Sequence, residues 1–324
     1  MTSRTIWLFA AACAALATAP ALEASAFCRM TSEGNGQSLD PNVECDEVGL
    51  PLEWRPACLS YAIDVGGSQW EGENLDIEQA IDFAFLEWGN VDCGGNNPPS
   101  VIFQKLQSST CKRAEFNCSG NVNTIAFLDP WRDPCKTNGY DPAAFAVTTV
   151  FFNRQSGEIL DADMQINDQL AGPNAAGGPY ANCPDTGCPP SVGGPGVADL
   201  QSIVTHEIGH MIGIGHSDIV EATMFARNER TSVEKRTLHP DDEDAICTIY
   251  PPGSLDQTCN AAPTGGLELD CEEKACSSES CSVSSSSGCS ASSDPANAPI
   301  GGILAALFAL IALRRRSQPL AVRS

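Results

Sequence analysis

Three of the chain's four histidines fall inside the stretch THEIGHMIGIGHSD, residues 205–218. On a helix, positions four apart return to the same face, so His206 and His210 can present their imidazoles to one metal ion at about 2.0 to 2.1 Å. Glu207 sits one residue round the helix. It is badly placed to ligate but well placed to take a proton from a water beside the metal and pass it to a leaving amine. Gly213 has no Cβ, so it can adopt φ > 0, end the helix and let the chain fold back to deliver His216 as a third ligand. Three protein ligands leave a coordination position to water, which is the catalytic rather than the structural arrangement for zinc. Met224 follows His216 by eight residues; on spacing alone it reads as core packing.

The elements that must position this stretch can be read around it. CLSYAIDV (58–65) alternates like a strand. From Asn74 to Gly89, Ile77, Ile81, Ala84, Phe85 and Trp88 recur at helical spacing. SVIFQKL, NTIAFLD and AFAVTTVFF read as further strands. GEILDADMQIN (157–167) alternates Ile159, Asp161, Asp163 and Gln165 against Leu160, Ala162, Met164 and Ile166, which predicts a strand with one solvated polar face. A Gly/Pro-rich loop, 172–196, leads to Asp199, an N-cap for a helix running through Leu200, Ile203 and Val204 to Met211. Strand, helix, strands, helix implies an α+β or α/β domain.

The ends of the chain carry a different message. Arg4, the apolar run Ile6–Ala17 and the small-residue site Ala24-Ser25-Ala26 predict a signal peptide over 1–26, hence an exported protein. Export makes the 16 cysteines readable as disulfides. Ten lie between Phe27 and Pro252, an even set that can close on itself as disulfides; a thiolate metal site is the rival reading, but no C-x-x-C pair supports it. These readings divide the chain into a disulfide-bonded domain over 27–253, a Ser/Cys-rich linker over 254–297, and an apolar segment over 298–316 that ends in Arg314, Arg315 and Arg316 as a membrane or sorting stop. The net charge of −23 excludes nucleic acid as a partner.

The whole set, HEIGHMIGIGHS followed by Met224, resembles the metzincin zinc proteases, and Ser217 directly after the third histidine is similar to the matrixin branch. The likeness runs from Trp54 to Pro252, through WRPACLSY, IEQAIDFAFLEW, GEILDADMQIN and LHPDDEDAICTIYP. It implies a twisted, mostly parallel sheet with an active-site helix and a closing C-terminal helix. It further implies Zn2+ on His206, His210 and His216, Glu207 as catalytic base, Met224 as the methionine of a turn beneath the metal, and protein or peptide substrates. It also implies Ca2+, for which Asp161, Asp163, Asn167 and Asp168 are candidate oxygen donors. Two departures stand out: no upstream histidines are left for the second zinc of matrixins, since His239 lies downstream, and no P-R-C-G latency motif is present. Gly288-Cys289, the Ser-rich spacer, the apolar run and the Arg cluster resemble MYXO-CTERM sorting tails, with Cys289 as the residue for processing or lipid attachment. The expectation is an exported zinc endopeptidase at the cell surface; the alternative is a catalytically silent surface binding protein on the same scaffold.

Overall fold

The computed structural model describes residues 27–271, apart from 34–44, 46–47, 71–74, 118–119, 135–137, 170–176, 190–195, 228 and 257, and beyond them only three short strands. In chain order the elements are β1 (Cys58–Ile63), α1 (Ile77–Gly89), β2 (Ile102–Lys105), β3 (Thr124–Leu128), β4 (Ala146–Phe152), β5 (Ile159–Asn167), β6 (Tyr180–Ala181), β7 (Ala198–Asp199), α2 (Leu200–Met211), a 3-10 turn at Glu234–Arg236, α3 (Pro240–Ile249), β8 (Cys281–Val283), β9 (Cys289–Ala291) and β10 (Ile303–Ala306). The main sheet has the order β10-β4-β5-β3-β1-β2. The β2–β1, β1–β3 and β3–β5 pairs are parallel, whereas β4 joins β5, and β10 joins β4, antiparallel. The expected α+β architecture with a mostly parallel sheet is what the chain adopts.

Period-2 and period-3.6 apolar stripes close one core between the sheet and the two long helices. Leu59, Tyr61 and Ile63 of β1, Ile125 and Phe127 of β3, and Met164 and Ile166 of β5 meet Ile81, Phe85 and Trp88 of α1 and Ile203, Val204 and Ile208 of α2. Helix α1 starts at Asp76, whose carboxylate accepts from Gln79 N at 2.9 Å, satisfying one of the donors every helix start leaves open. The Trp88 indole donates to Thr205 O at 2.8 Å, tying α1 to the turn of α2 that carries the first histidine. At the far end of α2 the Trp54 indole donates to Met211 O (2.7 Å) and the Tyr250 hydroxyl to Ile212 O (2.9 Å). These main-chain clamps fix the axis of α2 at both ends.

Three sequence expectations are corrected. The polar face of β5 is not solvated: all nine residues of the strand are buried, because loop residues around Cys111, Phe116, Trp131 and Ala144 cover the second face of the sheet. Nor do the ten domain cysteines pair only among themselves. Cys28–Cys45, Cys93–Cys247 and Cys183–Cys188 do, but Cys58 pairs with Cys259 and Cys111 with Cys271; Cys118 and Cys135 lie outside the described residues. The chain after Pro252 is therefore not a solvated linker from its first residue, since Asn121 N donates to Gly266 O and Thr110 N to Leu269 O, and the disulfide-bonded body extends past residue 253 to Cys271.

The expected signal peptide, 1–26, and most of the segment 298–316 lie outside the described residues. Ile303–Ala306 within that segment pairs antiparallel with β4, and among the described residues no helix is long and apolar enough to cross a membrane. Cys289 opens β9, which pairs with β8.

Candidate metal centre

Helix α2 begins where Asp199 accepts from Ser202 N at 2.9 Å, and it runs to Met211. Gly213, at φ +90°, then reverses the chain. A Cβ there would lie 2.5 Å from Leu52 O, so both the conformation and the space require glycine. The reversal has a chemical product: the carbonyl of Ile214, just past the turn, accepts from His210 Nδ1 at 2.9 Å. A carbonyl only accepts, so the Nδ1 atom carries the proton and the lone pair of His210 is on Nε2, which is buried without a hydrogen-bond partner.

His206 is held in the same way by Thr223 O, 2.6 Å from its Nδ1. Thr223 and Met224 form a turn beneath the helix that Asp242 of α3 secures, its carboxylate accepting from Thr223 N (2.7 Å), Met224 N (3.0 Å) and His239 N (2.9 Å). Met224 is fully buried, and a Cβ on Gly209 would meet its Sδ at 2.2 Å. The absence of a side chain at Gly209 is what lets this turn approach the histidines. Ser217 closes the loop, its N donating to Met224 O at 2.9 Å and its Oγ to Asp241 Oδ2 at 2.6 Å.

The structure thus brings His206, His210 and His216 together, with one nitrogen of each within 4.8 Å of the others. Their ring centroids are 4.9, 5.3 and 4.8 Å apart. Burial pushes His210 down to about 4 and holds His206 well below the usual imidazole range, with neighbouring cations, Lys235 among them, acting in the same sense. Neutral imidazoles with fixed tautomers are the form that ligates, and three nitrogens with no carboxylate among them suit zinc. The second converging group, Cys183, Cys188 and Asp199, is no metal site: the two sulfurs are joined to each other and Asp199 caps α2.

Glu207 projects beside the triad at 1% exposure. Its Oε2 accepts from Thr148 Oγ1 of β4 at 2.6 Å, while Oε1 has no partner. Burial raises this carboxyl to about 8, against the lowering effects of the Thr148 hydrogen bond and of Lys235. Lys235 is itself pushed down to about 7 by burial. A buried carboxyl with one oxygen anchored and the other open has an acceptor free to take up a proton and give it up again.

The four candidate calcium donors do not converge. At about 3.3 Å per residue, Asp161 and Asn167 stand roughly 20 Å apart along β5, too far to share one ion. Asn167 donates to Ala144 O and accepts from Gln169 N. Asp168 accepts from Ser68 Oγ and Gln69 N. Only Asp161 and Asp163 come together. Asp163 accepts from Thr124 N and Glu115 N, whereas no donor reaches either oxygen of Asp161. Burial raises both, Asp163 to about 7 against the lowering effect of its hydrogen bonds, and the neighbouring Asp163 carboxyl raises Asp161 further.

Sequence reading passed over Thr148, Gly209, Asp241 and Asp242. Only Asp242 left a trace, as the third residue of a helix start in LHPDDEDAICTIY, where it forms a capping box with His239.

Known proteins bear on this geometry. Residues 53–251 match the family model of the matrixins, peptidase family M10. The chain is 41% identical over 54 residues to Metalloendoproteinase 1-MMP of Arabidopsis thaliana, covering 17% of this chain and 15% of that protein. It is 38% identical over 52 residues to Metalloendoproteinase 4-MMP of the same plant, covering 16% and 15%. Against Metalloendoproteinase 1 of Glycine max it is 41% identical over 56 residues, covering 16% and 17%. The matches span less than a fifth of these relatives' own length.

Proposed function

The chain belongs to the matrixin family, and on that premise we propose that it is an exported zinc endopeptidase in which Glu207 is the general base. One observation carries the reading: a buried carboxylate with an unpartnered Oε1 beside three converging imidazoles, two of them, His206 and His210, held in a fixed tautomer. Zinc on His206, His210 and His216 would supply a Lewis acid that acidifies water and polarises a scissile carbonyl. Glu207 Oε1 is the open acceptor that would hold a proton and return it to a leaving amine, while Thr148 keeps Oε2 occupied. Thr223 and Ile214 hold the histidines in the ligating tautomer, and Met224 packs beneath them.

The purified chain should digest an unfolded protein, stop when a zinc chelator is added and resume when zinc is restored. No digestion by a fully zinc-loaded chain would leave the silent binding protein as the reading. The disulfides support an oxidising compartment. Export by the 1–26 segment, surface retention through 298–316 and processing at Cys289 in a MYXO-CTERM-like tail belong to the same proposal. So does calcium, which we restrict to the Asp161–Asp163 pair.

A further inference from the structure

Strand β4 carries two adjacent threonines that its sequence does not distinguish. Its core-facing positions are Ala146, Thr148, Val150 and Phe152; the three apolar ones join the main core. Thr148 is the one hydroxyl in that stripe and is fully buried. Valine has the same shape and would serve packing better, because a buried hydroxyl costs stability unless it finds a partner. The partner here is Glu207. Thr148 Oγ1 lies 2.6 Å from Glu207 Oε2 and 3.3 Å from the Glu207 main-chain oxygen. A hydroxyl has one proton to give, and the shorter contact runs to the atom that carries charge. Thr149 faces the other side of the sheet, where its Oγ1 is buried without a partner.

We propose that Thr148 is a positioning residue for the proton transfer. A glutamate side chain has three rotatable bonds, and among the described residues Thr148 is the side chain that hydrogen-bonds this carboxylate, Oε1 having no hydrogen-bond partner. With Oε2 tethered to a strand that is itself locked in the sheet, the carboxylate cannot swing or exchange its oxygens, and Oε1 alone is presented to the reacting proton. The tether is tertiary: Thr148 and Glu207 lie 59 residues apart in the chain, joined by the packing of β4 on α2.

The inference rests on the endopeptidase reading, so its test pairs turnover with a measurement that needs none: calorimetric binding of acetohydroxamate to the zinc-loaded protein. A hydroxamate on the metal gives its proton to the neighbouring carboxylate, so its affinity reports how that carboxylate is held. Thr148→Val should lower kcat by about ten- to a hundredfold, the usual size when a charged acceptor loses its donor, with KM within about twofold. It should weaken acetohydroxamate about tenfold while zinc content and melting temperature stay at the parental values. Thr148→Ser should restore both readouts to within about threefold, and Thr149→Val should match the parent.

Parental kcat and hydroxamate affinity in Thr148→Val would overturn the proposal. So would a serine variant as impaired as the valine one, or losses that track zinc or melting temperature, which would mean a packing role. If the parent digests nothing yet Thr148→Val still weakens the hydroxamate, the endopeptidase reading falls and the role of Thr148 stands.

Discussion

His206 Nδ1 lies 2.6 Å from the carbonyl oxygen of Thr223, so the ligand-bearing helix is coupled to the turn beneath it by a hydrogen bond that also sets the imidazole tautomer. The turn depends in its own right on Asp242, which accepts from Thr223 N and Met224 N. Asp242→Ala removes no ligand but should weaken zinc about 10- to 100-fold, the usual effect of losing an outer partner. It should also cost on the order of 2 to 4 kcal/mol of stability, since buried N–H groups lose a charged acceptor. Competition with a metal-sensitive dye and thermal unfolding measure the two; parental zinc affinity would mean the turn holds His206 unaided.

Binding metal and using it should separate. Glu207→Gln should keep zinc while proteolysis falls by a factor of about 10² to 10⁴, the range for a general base. His210→Ala should lose metal and activity together, because two remaining imidazoles hold zinc poorly against a chelator. Elemental analysis beside a digestion assay decides it. A Glu207→Gln variant that digests substrate at the parental rate would exclude Glu207 as the base.

Gly213→Ala combines a left-handed backbone, φ +90°, with a Cβ placed 2.5 Å from Leu52 O. Backbone cannot move aside cheaply, so the substitution should destabilise the domain by about 2 kcal/mol or more. The shift of Ile214 O should weaken zinc as well, because that carbonyl orients His210. Thermal unfolding with and without zinc reads both effects, and an unchanged transition would contradict this account of the turn.

The carboxyl pair on β5 makes stability depend on pH. Asp163 is raised from 3.8 to about 7, and Asp161 well above its ordinary value. Such groups hold more protons folded than unfolded, so their contribution is complete below about pH 4 and is lost as pH rises through 7. The chelated protein should therefore lose stability between pH 5 and 8 more steeply than Asp161→Asn. Buried His206 and His210 act in the opposite sense in both proteins, so the difference between parent and variant isolates the pair. Millimolar calcium should raise the melting temperature of the parent at pH 8 and not that of the variant; equal responses would remove calcium from this pair.

What could be read in the sequence and what could not divides along chain distance. His206, Glu207, His210, Gly213 and His216 declare themselves because one helix and one turn place them, and local spacing encodes both. Strands β1 and β5 were legible from alternation, and β2 to β4 from short apolar runs, for the same reason. Thr148 and Asp242 were not, because their roles come from packing across 59 and 18 residues, and a threonine in an apolar strand looks like ordinary β-propensity. The burial of Asp161 was missed because alternation reveals that a strand has two faces, not whether loops cover the second. Cysteine parity could suggest pairing but could not reveal that Cys58 and Cys111 reach beyond the domain.

Those two bridges have a consequence for the proposed endopeptidase activity. Cys58–Cys259 encloses a loop of 201 residues and Cys111–Cys271 one of 160, so nearly every peptide bond of the body lies inside a covalent ring. A single nick at an exposed loop, such as the one around Gly94, leaves both fragments tethered and the metal site whole. Self-inflicted damage would go unseen by size until a reductant parts the pieces, and preparations that look intact on a non-reducing gel can be mosaics of clipped molecules.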